Sequence, residues 1–290
     1  MASGDTNTGS LADSLPVIRH SARLRADFPF RMPMLCEPVR LDENTGLDWT
    51  EITVEKLTAQ AVTESTILDN PQQLQDALFS VTPTMSGIQT FITDRTMRRI
   101  SKNVAALLGR GAQAAIERLK DTQGLAVLAT GTSIAGAGST LTSGHISAAV
   151  SRARYNGGSE PLMTPISFVG HSFQIKDIQD EVVSGVGTYT VPTGITEQFF
   201  RNGFSGSLFG ANVFIDDNIV IDAASDAKGG VFPREAIVLV SGAGRRAVTV
   251  RNEKKGGGGD DLYVYDEYAY GVRHSGALFM IYSDATAPTS

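Results

Sequence analysis

A long amphipathic segment between Thr93 and Asp121 limits what this chain can fold into more than any other stretch. Gly124 can end a helix that Thr93 caps, so the pattern predicts a rod of about 40 Å. Gly109 and Gly111 each cost about 1 kcal/mol of helix stability, so packing must hold the rod straight. The apolar residues recur at intervals of three and four, the period of an α-helix with one buried face. They are Met97, Ile100, Val104, Leu107, Leu108, Ala115, Ile116 and Leu119.

The charge of the chain changes sign where this helix begins. Seven cations and one anion lie between Arg95 and Lys120, whereas nine carboxylates and one cation lie between Asp42 and Asp94. One interpretation is a pair of solvated faces with uneven charge. The other is a pair of complementary surfaces that meet between copies of the chain.

The whole chain is acidic, with a net charge of −6 over 290 residues. An acidic total is not typical of proteins that hold nucleic acid through its phosphates, and the basic helix face is the one candidate for such binding. Hydrophobic residues make up 41%, enough for a sizeable core. A single cysteine, Cys36, excludes an internal disulfide. No apolar run reaches membrane-spanning length and the start lacks a signal peptide, so we expect a soluble, cytoplasmic protein.

The stretch before the helix divides into a loose arm and a hairpin. Residues 1–14 have the composition of a flexible tail, and residues 16–40 mix arginines and apolar residues with four prolines. We predict an extended arm that embraces a neighbour. Residues 48–68 and 79–93 have strand composition, and Asp69-Asn70-Pro71 between them predicts a turn. The resulting acidic two-stranded hairpin is marginal alone and needs a surface to lie against.

The rest of the chain mixes helices and strands, so the fold class is α+β. Helices are predicted at residues 143–155 and 171–183, a small-residue connector at 130–144 and loops at 184–210. Strands are predicted at Pro165–Val169, Ala211–Val220, Ala236–Val240, Ala247–Arg251, Leu262–Tyr270 and Ala277–Tyr282, the last four at antiparallel hairpin spacings.

Three short motifs are similar to functional sites but lack a required part. Gly170-His171-Ser172 is similar to the nucleophile elbow of α/β-hydrolases, but Gln174 stands where that turn requires glycine. A strand, and not a helix, follows the glycines of Val240–Gly244, so a dinucleotide loop is not favoured. Gly256–Asp261 is one copy of a calcium-binding pattern that works only in repeats. Since no residues have metal-ligand spacing either, we predict no catalytic residue, cofactor or metal.

The order of these parts resembles the major capsid proteins of tailed bacteriophages, which have the Hong Kong 97-type fold. Residues 49–93 are similar to the family's E-loop and residues 94–121 to its spine helix. Leu141–Val169 resembles the helix and strand that open its A domain. Ser207–Val220 resembles a strand late in that domain, and Leu262–Asp284 resembles the closing strands of its P domain.

The resemblance implies a division of the chain into five segments. They are an N-terminal arm at 1–47, an E-loop hairpin at 48–82, a P domain with the spine helix at 83–130, an A domain at 131–245 and returning P-domain strands at 246–290. It also implies a structural protein that is not an enzyme. Its copies would form hexamers and pentamers of an icosahedral shell around double-stranded DNA, without sequence-specific binding and without a membrane.

Further partners follow from the same resemblance. The arm is too short to hold a built-in scaffold, so a separate scaffolding protein is implied, together with a portal protein and an optional decoration protein. The chain would be made in the cytoplasm of a bacterial host and would end in the virion capsid.

The charge pattern and the resemblance together predict inter-subunit contacts, in which the acidic hairpin lies over a neighbour's basic helix. The residues assigned to them are Arg19, Arg23, Arg25, Glu51, Glu55, Glu64, Asp69, Arg98, Arg99 and Lys102. Three alternatives stay open. They are an encapsulin-like shell around an enzyme cargo, a hydrolase that uses Ser172 with a histidine, and a phage tail or decoration protein.

Overall fold

A computed structural model describes most of the chain. The described residues are 27–42, 46–59, 61–64, 73–99, 104–162, 164–185, 206–242, 244–255 and 257–289. Much of the predicted arm, the turn at 69–71 and most of the loop region 184–210 lie outside these ranges. So do five of the predicted contact residues, Arg19, Arg23, Arg25, Asp69 and Lys102. None of the described helices combines the length and the low polarity needed to cross a membrane.

The described residues form five α-helices and thirteen β-strands. The helices are α1 (Met32–Leu35), α2 (Asp94–Arg99), α3 (Val104–Leu128), α4 (Ser143–Tyr155) and α5 (Ser172–Gly185). The strands are β1 (Glu37–Arg40), β2 (Trp49–Val54), β3 (Asp76–Val81), β4 (Thr84–Thr93), β5 (Thr132–Ala135), β6 (Ile166–Gly170), β7 (Ser207–Leu208), β8 (Ala211–Ile215), β9 (Asp226–Pro233), β10 (Ile237–Ser241), β11 (Arg246–Asn252), β12 (Gly259–Val272) and β13 (Phe279–Asp284).

A five-stranded sheet carries the long helix. Its longest strand, β12, pairs antiparallel with β10 and β11 along one edge and with β4 along the other, and β1 adds to β10 in parallel. The apolar stripe of α3 packs on this sheet through Ala112 and Ile116, which form a cluster with Val264 of β12. Ile116 of the predicted apolar face is therefore buried, whereas Leu119 of the same face is 43% exposed.

A buried ion-pair network also joins α3 to β12. Lys120 Nζ lies 2.9 Å from Asp266 Oδ2, and both side chains are almost completely buried. Arg245, from the turn between β10 and β11, lies 3.3 Å from the same oxygen and 2.5 Å from Glu117 of the helix. Although burial alone would raise the pKa of Asp266, the two cations together lower it.

A six-stranded sheet forms the second half of the body, in the order β5-β13-β9-β6-β8-β7. Helices α4 and α5 share its core, to which they contribute Ile146 and Ile175 beside Phe168 of β6. Every residue of β6 is buried. This burial explains why the predicted strand at Pro165–Val169 reads as an apolar run without alternation.

The long helix differs from its prediction at the C-terminal end. Thr93 caps α2, because its Oγ1 accepts the N–H of Thr96 at 3.3 Å, and the stretch between α2 and α3 lies outside the described residues. Gly124, however, lies inside α3, which continues to Leu128. A Cβ at Gly124 would lie 2.7 Å from Met32 Cβ, so this glycine permits close packing of α1 and does not end the helix.

The predicted returning strand at 79–93 is wrong as a single strand. β3 pairs with β2 to form the hairpin, in a register that runs from Trp49 opposite Val81 to Val54 opposite Asp76. β4 leaves the hairpin after Pro83 and joins β12. The hairpin sheet is thus shorter than predicted, and β5 adds a strand that the connector prediction missed.

Two strands lie in sheets that the five-segment division does not foresee. β10, from the segment 131–245, belongs to the five-stranded sheet with the long helix. β13, from the segment 246–290, belongs to the six-stranded sheet. One core cluster connects the two halves and includes Leu128, Phe232, Ile237 and Leu278. The segment boundaries themselves stay a prediction.

Candidate inter-subunit surfaces

The inner face of the hairpin packs on the body of the same chain. Trp49 and Phe79 meet edge to face with ring centroids 6.1 Å apart. Together with Val81 they form a cluster with Val238 and neighbouring apolar residues. The base of the hairpin is therefore anchored in the five-stranded sheet.

Arg273 adds a polar clamp to this anchor. Its Nε donates to Glu51 Oε2 at 2.7 Å, its Nη1 donates to Glu37 of β1, and its guanidinium lies 5.9 Å from the Trp49 ring centroid. Glu51, one of the residues predicted to contact a neighbour, thus has a partner within its own chain.

The outer face of the hairpin exposes apolar side chains. Ile52 and Leu78 lie directly opposite each other and are 64% and 68% exposed, and Val54 follows on the same face. Leu57 and Leu74, beyond the strand ends, are each 62% exposed. We call these five residues the outer stripe. Large exposed apolar patches on soluble proteins commonly mark interaction sites, so the outer stripe is the candidate interaction surface.

The sequence contained a signal for the outer stripe. Ile52 and Val54 alternate with Glu51 and Glu55, which indicates a strand with one apolar face. Period-two alternation does not say whether the partner of that face lies in the same chain. The charge pattern predicts contacts through the carboxylates, whereas the structure exposes the apolar residues between them.

Arg98 and Arg99 border a cleft of about 390 Å³ at the start of α2. The nearby carboxylate of Asp94 is bound at both oxygens by Arg251, at 2.5 and 2.6 Å, and this hydrogen bonding lowers the pKa of Asp94. Arg98 approaches Asp94 only to 4.0 Å and is 82% exposed. Since Arg251 already neutralises Asp94, Arg95, Arg98 and Arg99 leave an excess of positive charge at this surface.

Among the predicted acidic and basic partners that the structure describes, Glu55 and Glu64 do not meet Arg98 or Arg99. Glu55 and Glu64 are exposed beyond the end of β2, and the backbone N–H of Glu55 donates to the carbonyl of Gln75 at 2.9 Å. In the part of the chain that the structure describes, no ion pair joins either glutamate to Arg98 or Arg99. An intermolecular pairing stays a prediction.

Ser172 lies beside His171 and Asp217, but their contacts are those of a helix N-terminus. Asp217 Oδ1 accepts the backbone N–H of Ser172 at 3.1 Å and lies 3.7 Å from His171 Nε2. His171 Nδ1 accepts the N–H of Phe173 at 3.2 Å, and burial lowers the pKa of the imidazole. No described hydrogen bond joins the Ser172 hydroxyl to a histidine.

The two glycine-rich motifs are turns between strands. Val240–Gly244 spans the end of β10 and the connection to β11. Gly257 and Gly258, with positive φ, lead into β12. The carboxylate of Asp261 accepts hydrogen bonds from Gln89 and Asn252, each within 3 Å, so its oxygens support the strands. Among the described residues, no group of three or more His, Cys, Asp or Glu side chains is arranged to hold a metal.

Comparison with known proteins identifies the fold. No protein-family model matches the sequence, and no curated protein matches it either. A solved structure from Mycobacterium phage Che8 is 14% identical, covers 92% of this chain and 96% of its own, and has a TM-score of 0.69. The capsid of cyanophage P-SCSP1u is 11% identical, with 92% of each chain covered and a TM-score of 0.69. The capsid of Ralstonia phage GP4 is 13% identical, with 93% and 95% covered and a TM-score of 0.67. The chain therefore has the α+β Hong Kong 97-type capsid fold that the sequence predicted.

Proposed function

We propose that this chain, with its capsid fold, is the major capsid protein of a tailed bacteriophage. The observation that carries the proposal is the outer stripe on the hairpin. Apolar surface removed from water contributes roughly 25 cal/mol per Å², so a hairpin with this stripe gains stability by lying on another protein surface. Because capsids with the same fold consist of many copies, we take that surface to be a second copy of the chain.

In the assembled state the copies form hexamers and pentamers that close into an icosahedral shell. Heterologous contacts of this kind generate closed assemblies when the rotation between neighbours allows it. The shell encloses double-stranded DNA without sequence-specific contacts, and the net charge of −6 agrees with weak affinity for phosphates. A separate scaffolding protein, a portal protein and an optional decoration protein complete the assembly. The chain is made in the bacterial cytoplasm.

Charged contacts form the second part of the proposal. Glu55 and Glu64, near the end of the hairpin, face Arg98 and Arg99 of a neighbouring copy, and Asp69 and Lys102 extend this pairing. Arg19, Arg23 and Arg25 of the arm add further contacts. Charge pairs at the rim of an interface fix the relative orientation of the two copies more than they raise the affinity between them. The outer stripe therefore supplies most of the stabilisation of the contact.

The experiment that tests the proposal combines self-assembly with a matched pair of variants. Co-expression of the full chain with the scaffolding protein of the same phage should give closed particles in negative-stain electron microscopy and fast-sedimenting material. Leu78→Glu, which places a charge in the outer stripe, should abolish particles. Val220→Glu changes an apolar side chain that is 74% exposed outside the stripe, and it should leave assembly intact.

Two outcomes would contradict the proposal. The wild-type chain could remain monomeric at high concentration with its scaffold present, or Leu78→Glu could assemble as well as wild type while circular dichroism shows both folded. Particles that contain an enzyme cargo and no DNA would instead support the encapsulin-like alternative, which shares the fold. A chain that joins tails or preformed heads but never closes shells would support the tail or decoration role. Loss of ester hydrolysis in Ser172→Ala would support the hydrolase.

A further inference from the structure

Asp121 of α3 lies at a buried junction of three parts of the chain. Its Oδ1 accepts the backbone N–H groups of Arg31 and Met32, each at 2.9 Å, and thereby caps α1. Its Oδ2 accepts the side-chain amide of Asn218, in the turn after β8, at 2.9 Å. One completely buried carboxylate therefore holds the start of the described chain, the long helix and the six-stranded sheet together.

Asp216, two residues before Asn218, is a second completely buried carboxyl at this junction. Its Oδ1 accepts the N–H of Asn218 at 3.0 Å, and its own N–H donates to the carbonyl of Gly170 at 3.0 Å. Its Oδ2 is buried and accepts no hydrogen bond from the described residues. A buried acceptor without a donor costs about 1–3 kcal/mol, and more when it is charged. Asn218 connects the two carboxyls, because its backbone N–H bonds Asp216 and its side-chain amide bonds Asp121. A proton shared between the two carboxyls would satisfy the remaining oxygen of Asp216.

Two cations, Arg31 and Arg234, lie near the pair, but neither forms a described ion pair with it. The Arg31 Nε is buried without a hydrogen-bond partner. Burial raises the pKa of the Cys36 thiol to about 12 and also raises the pKa of Tyr270, so both are neutral. Arg234 donates to the carbonyl of Cys36 at 3.4 Å, and Asp217 faces His171. No described ion pair includes Asp121 or Asp216.

We propose that Asp121 and Asp216 share one proton, and that this proton controls how firmly Arg31 and Met32, where the N-terminal arm joins the body, are attached. A second negative charge in one buried site carries a large cost, so Asp216 keeps its proton beside the negative charge of Asp121. With the proton present, Asp216 donates to Asp121 and the junction is closed. Without it, two buried negative charges repel each other beside the amides that Asp121 holds.

The direction of the pH dependence follows from the shifted titration. Burial, and then the negative charge of Asp121, raise the pKa of Asp216 to about 7. A group whose pKa is higher in the closed state stabilises that state at low pH, and the contribution is lost as pH rises toward the raised pKa. The attachment should therefore be firmest below about pH 4 and should weaken until about pH 7, above which it stays constant. The arm would be held in acid and released near neutrality.

Hydrogen exchange of the full-length chain tests this proposal, whether or not the chain forms shells. The peptide that contains Arg31 and Met32 is followed by mass spectrometry from about pH 5 to about pH 8, with correction for intrinsic exchange. In wild type, the opening constant of these amides should rise about tenfold per pH unit and level off near pH 7. Asp216→Asn keeps a donor toward Asp121 at every pH, so its opening constant should stay flat. Asp217→Asn, the same change one residue further, should follow wild type.

The proposal would be overturned if the opening constant of these amides did not change with pH in wild type. It would also be overturned if the opening constant rose as steeply with pH in Asp216→Asn as in wild type. Infrared difference spectroscopy of the wild-type chain provides a check that needs no folded variant. The carboxylic acid C=O band of a buried protonated carboxyl should be present at about pH 5 and absent at about pH 8. Its absence at the lower pH would equally overturn the shared proton.

Discussion

At the scale of single residues, two glycines of α3 occupy opposite environments. A Cβ at Gly124 would press against Met32 and also lie 3.0 Å from Tyr270, whereas a Cβ at Gly109 would meet nothing within 4 Å. Gly109→Ala should therefore stabilise the chain by up to about 1 kcal/mol, the difference in helix propensity. Gly124→Ala should destabilise it by about 1–3 kcal/mol, because overpacking outweighs the same gain. Urea unfolding followed by circular dichroism measures both. Equal stabilisation by the two variants would mean that α1 does not pack on α3 in solution.

The same two glycines show where sequence reasoning succeeds and where it stops. Helix propensity treats Gly109, Gly111 and Gly124 alike, and the last is predicted as a terminator because glycine commonly follows the end of a helix. Its role depends on Met32 and Tyr270, which are distant in sequence. Likewise, the buried pair of Asp121 and Asp216 is invisible in a list of charges, since only the fold brings these residues together.

At the scale of elements, the hairpin is coupled to the body at its base and again beyond the end of β2, where Lys56 Nζ donates to the Ser159 carbonyl at 2.6 Å. Val54 and Leu78 of the outer stripe line a cleft that Ser159 and Glu160 of the body also border. At the base, Arg273 bridges Glu37 and Glu51 and covers Trp49. Arg273→Gln should thus loosen residues 49–81 without unfolding the body. Because the Glu51 carboxylate is about one third exposed, we expect a local cost of about 1 kcal/mol, or roughly a fivefold rise in exchange of the hairpin amides.

Arg152→Gln is the control for this prediction, since Arg152 is exposed on α4 and has no described ion pair. It should leave exchange in the hairpin unchanged. If Arg273→Gln lowered the protection of β6 and β9 as much as that of β2 and β3, the Arg273 contacts would stabilise the whole fold and not the hairpin in particular.

Element identities were largely predictable, but element partners were not. The helix at 143–155 and most strands follow from periodicity, because α4 and the sheets bury their apolar faces within this chain. The stretch 79–93 has uniform strand composition, yet Pro83 divides it between two sheets. Strand composition reports that a segment pairs and carries no information about the segment it pairs with. Strand composition likewise does not reveal what covers Ile52 and Leu78, because the partner that we propose for them is in another molecule.

At the scale of the whole molecule, the apolar and the charged parts of the proposed contact respond differently to salt. Contacts between exposed charges are screened when the Debye length falls to about 3 Å at about 1 M salt, whereas burial of the outer stripe is not weakened by screening. Assembly of the wild-type chain should therefore persist at high salt. At low salt, the relative orientation of neighbouring copies should depend on whether Glu55 and Glu64 of one copy face the arginines of the next.

Charge exchange between the two surfaces decides this last point. Glu55→Lys with Glu64→Lys should reduce the yield of closed particles at low salt, because like charges then oppose each other across the contact. Arg98→Glu with Arg99→Glu should do the same, and the chain that carries all four changes should assemble again. At about 1 M salt the three variants should approach wild type. If the fourfold variant assembled no better than either double variant, the hairpin would meet a different part of its neighbour. Glu51 is left unchanged in this design, because its pair with Arg273 would confound the result.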